Sequence, residues 1–297
     1  MTSMNNTPSL VEPVSLQPLR REGDAYVGDN GQRYEIEGRI VRVLRNVNPE
    51  LARELESQAI AADDYGDPRF LMPRYERDMA ELALVRLFGG QAPKGDVLDA
   101  GCGIGILGRL FPDMGLVGLD ASVDLLRRVA TGYRLLVEAS AESLPFPDRS
   151  FDVVVALNML HHVIDPAQAV REFARVLRPG GSLVAVDPRK VWPVEVAKRV
   201  LRGNDQSFAP THKAFGVQEY ASLIERQGLF QIDESQRVGL LTLLAVGGLD
   251  ATKLSFKIDD RDRLVNYLRG ADQMLFKVPG VSKLGLNLAV RARRAAS

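Results

Sequence analysis

The 297-residue chain has a single cysteine, Cys102, so no intrachain disulfide can form. It has one tryptophan and three histidines, and two of the histidines, His161 and His162, are adjacent. No apolar run reaches the roughly 18 residues of a membrane span. The N-terminal stretch Met1 to Ser9 is polar and lacks the apolar core of a secretory signal, so a cytoplasmic location is expected. Charge of one sign is also lacking. Lysine plus arginine and aspartate plus glutamate balance at 38 each, which leaves no global basic field to draw in nucleic acid. Arg291, Arg293 and Arg294 form a small basic cluster, read as a solvated tail.

The length allows a sizeable core, in one large domain or two smaller ones. From residue 95 onward, strand and helix patterns alternate, as in a parallel sheet covered by helices on both faces. Strands are expected at Val97–Ala100, Leu116–Asp120, Arg134–Glu138, Phe151–Leu157 and Ser182–Asp187, then near Phe230–Val238. Helices are expected at Ile106–Phe111, Ser122–Ala130, Pro166–Leu177 and Val217–Gln227. The tail Leu286–Arg293 reads as a last, antiparallel strand. Residues 189–213 and 240–283 are then insertions, containing an apolar helix over Trp192–Leu201 and an amphipathic one over Asp260–Leu275.

The segment from Val97 to Gly105 runs from a buried strand into close-spaced glycines, which bring bare backbone to the mouth of the sheet. Gly103, Gly105 and Gly108 fit the loose G-x-G-x-x-G dinucleotide pattern, a weak signal by itself. Asp99 argues against a pyrophosphate, whose negative charge it would repel. It suits a ligand carrying an ammonium and a sulfonium, as S-adenosylmethionine (SAM) does. Asp99, Gly101, Gly103 and Gly105 match every fixed position of (D/E)-x-G-x-G-x-G, and the segment resembles motif I of class I SAM-dependent methyltransferases. Asp120 lies 15 residues beyond Gly105, at a strand end where an acid can accept hydrogen bonds from ribose hydroxyls.

The stretch Ser140 to Asp152 resembles the D-A-E-x-L-P-F-x-D-x-S-F-D segment of quinone- and sterol-type small-molecule methyltransferases, with Ser140 in place of the usual aspartate. The resemblance assigns Ser140, Ala141 and Glu142 to the adenine, Cys102 and Ala121 to the same cofactor wall, and Asn158 and Met159 to the methionine half. His161 sits in an L-H-H element, and His212 precedes Phe215 as in related enzymes. Both are candidate proton acceptors, because imidazole titrates near neutral pH. A purely structural role, bonding to backbone, stays open for His161 and His162. Asp187-Pro188 is a candidate rim of the acceptor pocket.

Upstream, residues 1–10 read as a disordered tail. Residues 11–48 carry strand-like pieces, Asp24–Val27 and Arg33–Leu44, around an Asp29-Asn30-Gly31 turn. Their skeleton of Pro13, Leu19, Gly31, Tyr34, Ile36 and Gly38 resembles a Trm112-like zinc-ribbon module. Its four cysteine positions hold Glu12, Ser15, Val27 and Asn30, and zinc requires thiolate or imidazole in such a site, so a degenerate ribbon with no metal is expected. Residues 49–90 read as a helical lid, with Tyr65 and Tyr75 as cofactor-covering candidates.

Together these resemblances imply a Rossmann-like α/β fold with a seven-stranded, mostly parallel sheet and a small β-rich N-terminal module. They imply a SAM-dependent enzyme methylating a moderately apolar small molecule such as a lipid, quinone or secondary metabolite. Neither a nucleic-acid partner nor a membrane span is expected, and homodimerisation is left open. Two other readings remain: an RNA methyltransferase with a decayed zinc ribbon, and a repurposed SAM-fold protein without methyl transfer. A nicotinamide-dependent dehydrogenase is the weakest contender.

Overall fold

A computed structural model describes residues 8–45, 47–66, 87, 92–192, 214–239, 261–275, 277–278 and 280–296. Eleven strands form one continuous sheet: β1 (Arg20–Glu22), β2 (Ala25–Val27), β3 (Arg33–Glu37), β4 (Ile40–Arg42), β5 (Val97–Ala100), β6 (Leu116–Asp120), β7 (Tyr133–Glu138), β8 (Phe151–Leu157), β9 (Leu177–Pro188), β10 (Phe230–Val238) and β11 (Asn287–Arg294). Their spatial order is β1-β2-β3-β4-β7-β6-β5-β8-β9-β11-β10. The strands from β7 to β9 are parallel, and β11 runs antiparallel to both β9 and β10. The expected seven-stranded sheet is therefore present, and four N-terminal strands lengthen it.

Helices cover both faces, which is why the central strands are apolar throughout rather than alternating. α1 (Pro49–Gly66) precedes the sheet's core. α2 (Ile106–Leu110) and α3 (Val123–Leu126) follow β5 and β6, α4 (Pro166–Val176) follows β8, and α5 (Val217–Ile224) and α6 (Arg261–Leu275) come later. Leu98, Ala100, Val154 and Ala156 pack with Ala169, Val170 and Phe173 of α4 and with Tyr220 and Ile224 of α5. On the opposite face, Val97, Val153 and Val155 pack with Leu107 of α2 and Val265 of α6. Each fully buried Leu or Phe contributes roughly 1.5–3 kcal/mol. α4 starts where its sequence says it should. The Asp165 side chain accepts the Gln168 N–H at 3.0 Å, and Pro166 takes the first helical position.

Several boundaries differ from the sequence reading. Arg33–Leu44 is not one strand, because Gly38 adopts φ 62° and turns the chain between β3 and β4. The helix after β6 is only Val123–Leu126. Leu10, placed in the N-terminal tail by the sequence reading, is 1% exposed and packs in the core. Most of the expected lid (67–86 and 88–90), the Trp192–Leu201 helix beyond Trp192, and residues 240–260 lie outside the described residues.

The N-terminal strands do not form a separate body. β4 pairs parallel with β7 (Ile40 with Leu136, Val41 with Val137, Arg42 with Glu138). At that junction the Arg42 guanidinium grips the Glu138 carboxylate through Nε and through Nη2 at 3.0 Å, and reaches Glu37 at 2.9 Å. The Glu138 side chain is 8% exposed. Two positions that hold cysteine in zinc ribbons instead hold turns: Glu12 Oε2 accepts the Val14 N–H and Asn30 Oδ1 accepts the Gln32 N–H. Arg42→Ala leaves Glu138 without its charged partner and is expected to cost about 1–2 kcal/mol, discounted for the half-exposed guanidinium. The urea-unfolding midpoint reads this. An unchanged midpoint would mean that the junction contributes nothing.

Candidate functional site

The order of the parallel strands reverses between β5 and β8, and a crevice for ligands opens outside the carboxyl ends at such a point. The glycine loop begins there. The Gly101 and Cys102 N–H groups both donate to the Leu119 carbonyl, at 2.7 and 2.9 Å, which folds the chain sharply back over β6. Gly101 sits at φ 72°, and a Cβ on it would lie 2.5 Å from Met159 Cβ. Gly103, at φ 51°, is the opposite case. A Cβ there meets no atom of the described residues within 4 Å.

Asp120 closes the loop from the next strand. Its Oδ2 accepts the Gly103 N–H at 2.8 Å and its Oδ1 accepts the Ser122 N–H at 2.9 Å. The carboxylate keeps room for a further donor. Burial raises its pKa, while the backbone amides of Ser122, Gly103 and Ala121 and the nearby His162 pull it down. Ala121 links Asp120 to Ser122, whose hydroxyl caps α3 by accepting the Leu125 N–H.

Asp99 is 3% exposed, and its Oδ2 accepts the Tyr133 hydroxyl at 2.5 Å. Burial pushes its pKa up to about 7, and the tyrosine opposes this. It is thus not an open charge at the mouth of the sheet. Cys102 is buried, and burial holds its thiol well up.

In the loop after β7, Ser140 Oγ accepts the Glu142 N–H at 3.1 Å, and Ala141 is buried. The Glu142 carboxylate turns toward the start of α4 and accepts the Ile164 and Asp165 N–H groups at 3.0 and 3.1 Å. Its geometry anchors a loop to a helix. Arg175 completes that clasp by donating to the carbonyls of Leu144 and Phe146.

After β8, Asn158 adopts φ 51°, its N–H donates to the Val186 carbonyl, and Met159 lies buried against Gly101. His161 Nδ1 lies 2.8 Å from Asp187 Oδ1, and the His161 backbone N–H donates to the same oxygen at 3.2 Å. The Tyr220 hydroxyl donates to Asp187 Oδ2 at 2.7 Å. Asp187 is fully buried, which pushes it up to about 7 against the pull of Tyr220 and the backbone N–H groups. The neighbouring His162 packs against His161 with ring centroids 4.0 Å apart and the planes tilted by 40°, and its Nδ1 lies 2.7 Å from Glu54 Oε1 of α1. The side chain of Tyr65, and the whole of Tyr75 and His212, lie outside the described residues.

Sequence reasoning missed Tyr133, Tyr220 and Glu54. All three act across more than 30 residues of chain. The one local signal was Gly118 in mid-strand, a mark of close approach by another group.

The Methyltransferase domain family matches residues 98–185, the stretch that holds the carboxyl ends of β5 to β8. These residues form a class I SAM-dependent methyltransferase domain. A protein of Mycolicibacterium smegmatis named "Probable S-adenosylmethionine-dependent methyltransferase" is 32% identical over 161 residues, covering 52% of this chain and 59% of that protein. The fatty-acid O-methyltransferase of the same organism is 30% identical over 165 residues, covering 50% and 60%. The chain thus spans about three fifths of the length of these curated relatives. A SAM-dependent methyltransferase of Thermotoga maritima shares the fold at TM-score 0.53 and 17% identity, covering 80% of this chain and 99% of that one.

The candidate site suits that family's cofactor. Asp120 has room for a further hydroxyl donor, and the backbone at Gly103 leaves space that a side chain would fill. No helix among the described residues is long and apolar enough to cross a membrane. Gly103→Ala is expected to keep the fold, at a backbone cost of roughly 1–2 kcal/mol, and to weaken SAM binding. Gly108→Ala is expected to compromise folding itself, because its Cβ would lie 2.4 Å from the Thr131 carbonyl. Thermal melts beside SAM titrations separate the two, and equal behaviour of both variants would contradict the assigned loop geometry.

Proposed function

We propose that the protein transfers the methyl group of SAM to a small, moderately apolar acceptor. The observation that carries this is Asp120, a buried carboxylate at the end of β6 tied to the glycine loop with room left for a further donor. Asp120 binds the ribose hydroxyls, Ser140 and Ala141 line the adenine, and Asn158 and Met159 border the methionine half. Bound there, SAM supplies an already activated methyl on a sulfonium, so the chain mainly positions and orients. The likeness to a fatty-acid O-methyltransferase supports a lipid-like acceptor.

His161 is the base for an acceptor that must shed a proton. Asp187 orients its ring through Nδ1 and stabilises the imidazolium that forms. α1 closes one side of the site, held by Glu54 against His162. The segment before β1 braces the adenine loop, since the Ser143 hydroxyl donates to the Pro13 carbonyl and the Val11 N–H to the Pro145 carbonyl.

Asp120→Ala removes a charged acceptor worth about 1.5–3 kcal/mol per bond, an affinity loss of roughly tenfold or more for SAM. Unchanged affinity by calorimetry would refute the site. For His161→Ala, release of S-adenosylhomocysteine with fatty acids, phenols and quinols as trial acceptors is the readout. Turnover on a phenol should fall by about 10²–10⁴ while SAM affinity is retained. Equal turnover of variant and wild type on every acceptor would show that His161 moves no proton.

A further inference from the structure

Resting on the SAM-site reading, we propose that Tyr133 is a positioning residue that sets the glycine loop from beneath and keeps Asp99 an anion for a cationic methyl donor. Tyr133 stands at the start of β7, with all of β6 between it and Asp99 on β5. Its ring crosses that strand only because Gly118 has no side chain there. A Cβ on Gly118 would lie 2.8 Å from Tyr133 Cδ1. The other edge of the ring fits against Gly105 and Gly108, where an added Cβ would lie 3.1 and 2.3 Å from Tyr133 Cε2. Three glycines on two elements and one loop thus accommodate a single aromatic ring.

The hydroxyl at its tip does two things. It donates to Asp99 Oδ2 at 2.5 Å and accepts the Gly108 N–H at 3.2 Å. That amide is one of the first-turn donors of α2, which a helix leaves unsatisfied unless capped. The N-cap of α2 is Gly105, which has no side chain to cap it. Tyr133 therefore caps the helix that ends the glycine loop and, through the same oxygen, couples that loop to the buried carboxylate of Asp99.

The groups acting on Asp99 are few. They are the Tyr133 hydroxyl from β7, the Asp120 carboxylate at the end of β6 and the Cys102 thiol in the loop. β8 and α2 present Val153, Val155 and Leu107 on that face. Burial leaves the Asp99 carboxyl ionising near pH 7 with Tyr133 already favouring the anion. A sulfonium near the loop favours the anion further, so binding expels a proton. Affinity then rises with pH up to about 7 and levels off above it.

SAM is titrated calorimetrically into wild type, Tyr133→Phe and Asp99→Asn between about pH 6 and pH 9. The amine of the ligand titrates alike in all three, so differences between proteins report the protein. Without its hydroxyl, Tyr133→Phe needs a higher pH to ionise Asp99. It should bind about tenfold more weakly near pH 7 and within about twofold of wild type near pH 9. Asp99→Asn should lose the wild-type rise below about pH 7, and serves where Tyr133→Phe does not fold. S-adenosylhomocysteine, which lacks the sulfonium charge, should show a smaller rise in wild type. A Tyr133→Phe deficit of equal size at every pH would reduce the residue to a strut, and no deficit at any pH would remove the role altogether. Either overturns the proposal while leaving the SAM site intact, whereas wild type that binds no SAM at any pH would overturn both.

Discussion

A buried carboxylate must be met by hydrogen-bond donors or it neutralises, and this one requirement shapes the ligand-facing end of the sheet. Asp120 shows how. Its two oxygens take the N–H groups of Gly103 and Ser122, one from the glycine loop and one from the start of α3. The loop after β5 and the helix after β6 are thus tied to a common anion. A side chain proposed to hold the ribose is also what fixes the backbone that the nucleoside would lie against. Binding and local folding share a residue, so replacing Asp120 disturbs both.

The same logic recurs at Asp99 and Asp187, with different donors and different consequences. Asp187 takes a tyrosine hydroxyl, the backbone N–H groups of Leu160 and His161, and the ring of His161. Its donors come from α5 and from the turn after β8, so the imidazole is held by a residue of β9 rather than by its own loop alone. Asp99 takes the hydroxyl of Tyr133, and burial leaves it ionising near neutrality. Asp99, Asp120 and Asp187, near the ends of β5, β6 and β9, are all raised by burial, and each is opposed by a different set of donors.

Much of this was legible in sequence. β6 and β8 have the bounds that their apolar runs indicate, and Asp120 lies where its spacing from the glycines puts it. Glu142 illustrates the limit. Its motif marks an adenine-side residue, but its carboxylate bonds to backbone at 164 and 165, a partnership set by where α4 packs. The strand pairing of β4 with β7 was equally invisible, because an edge strand carries no mark of which edge it will join. Tyr133 needed knowledge that β7 and β5 flank β6, which local pattern does not contain.

The N-terminal strands matter most through this edge. A parallel sheet ending at β7 would present a row of unpaired backbone groups beside the loop after β7. β4 covers that row, and Arg42 neutralises Glu138 where the two strands end. Upstream of β1 the chain runs along the loop itself, with Val11 and Pro13 bonded to Pro145 and Ser143. The stability of these four strands comes from the sheet they join. Leu10, Tyr34 and Val43, buried in the same core as the β7 residues Leu135 and Val137, show where that stability comes from.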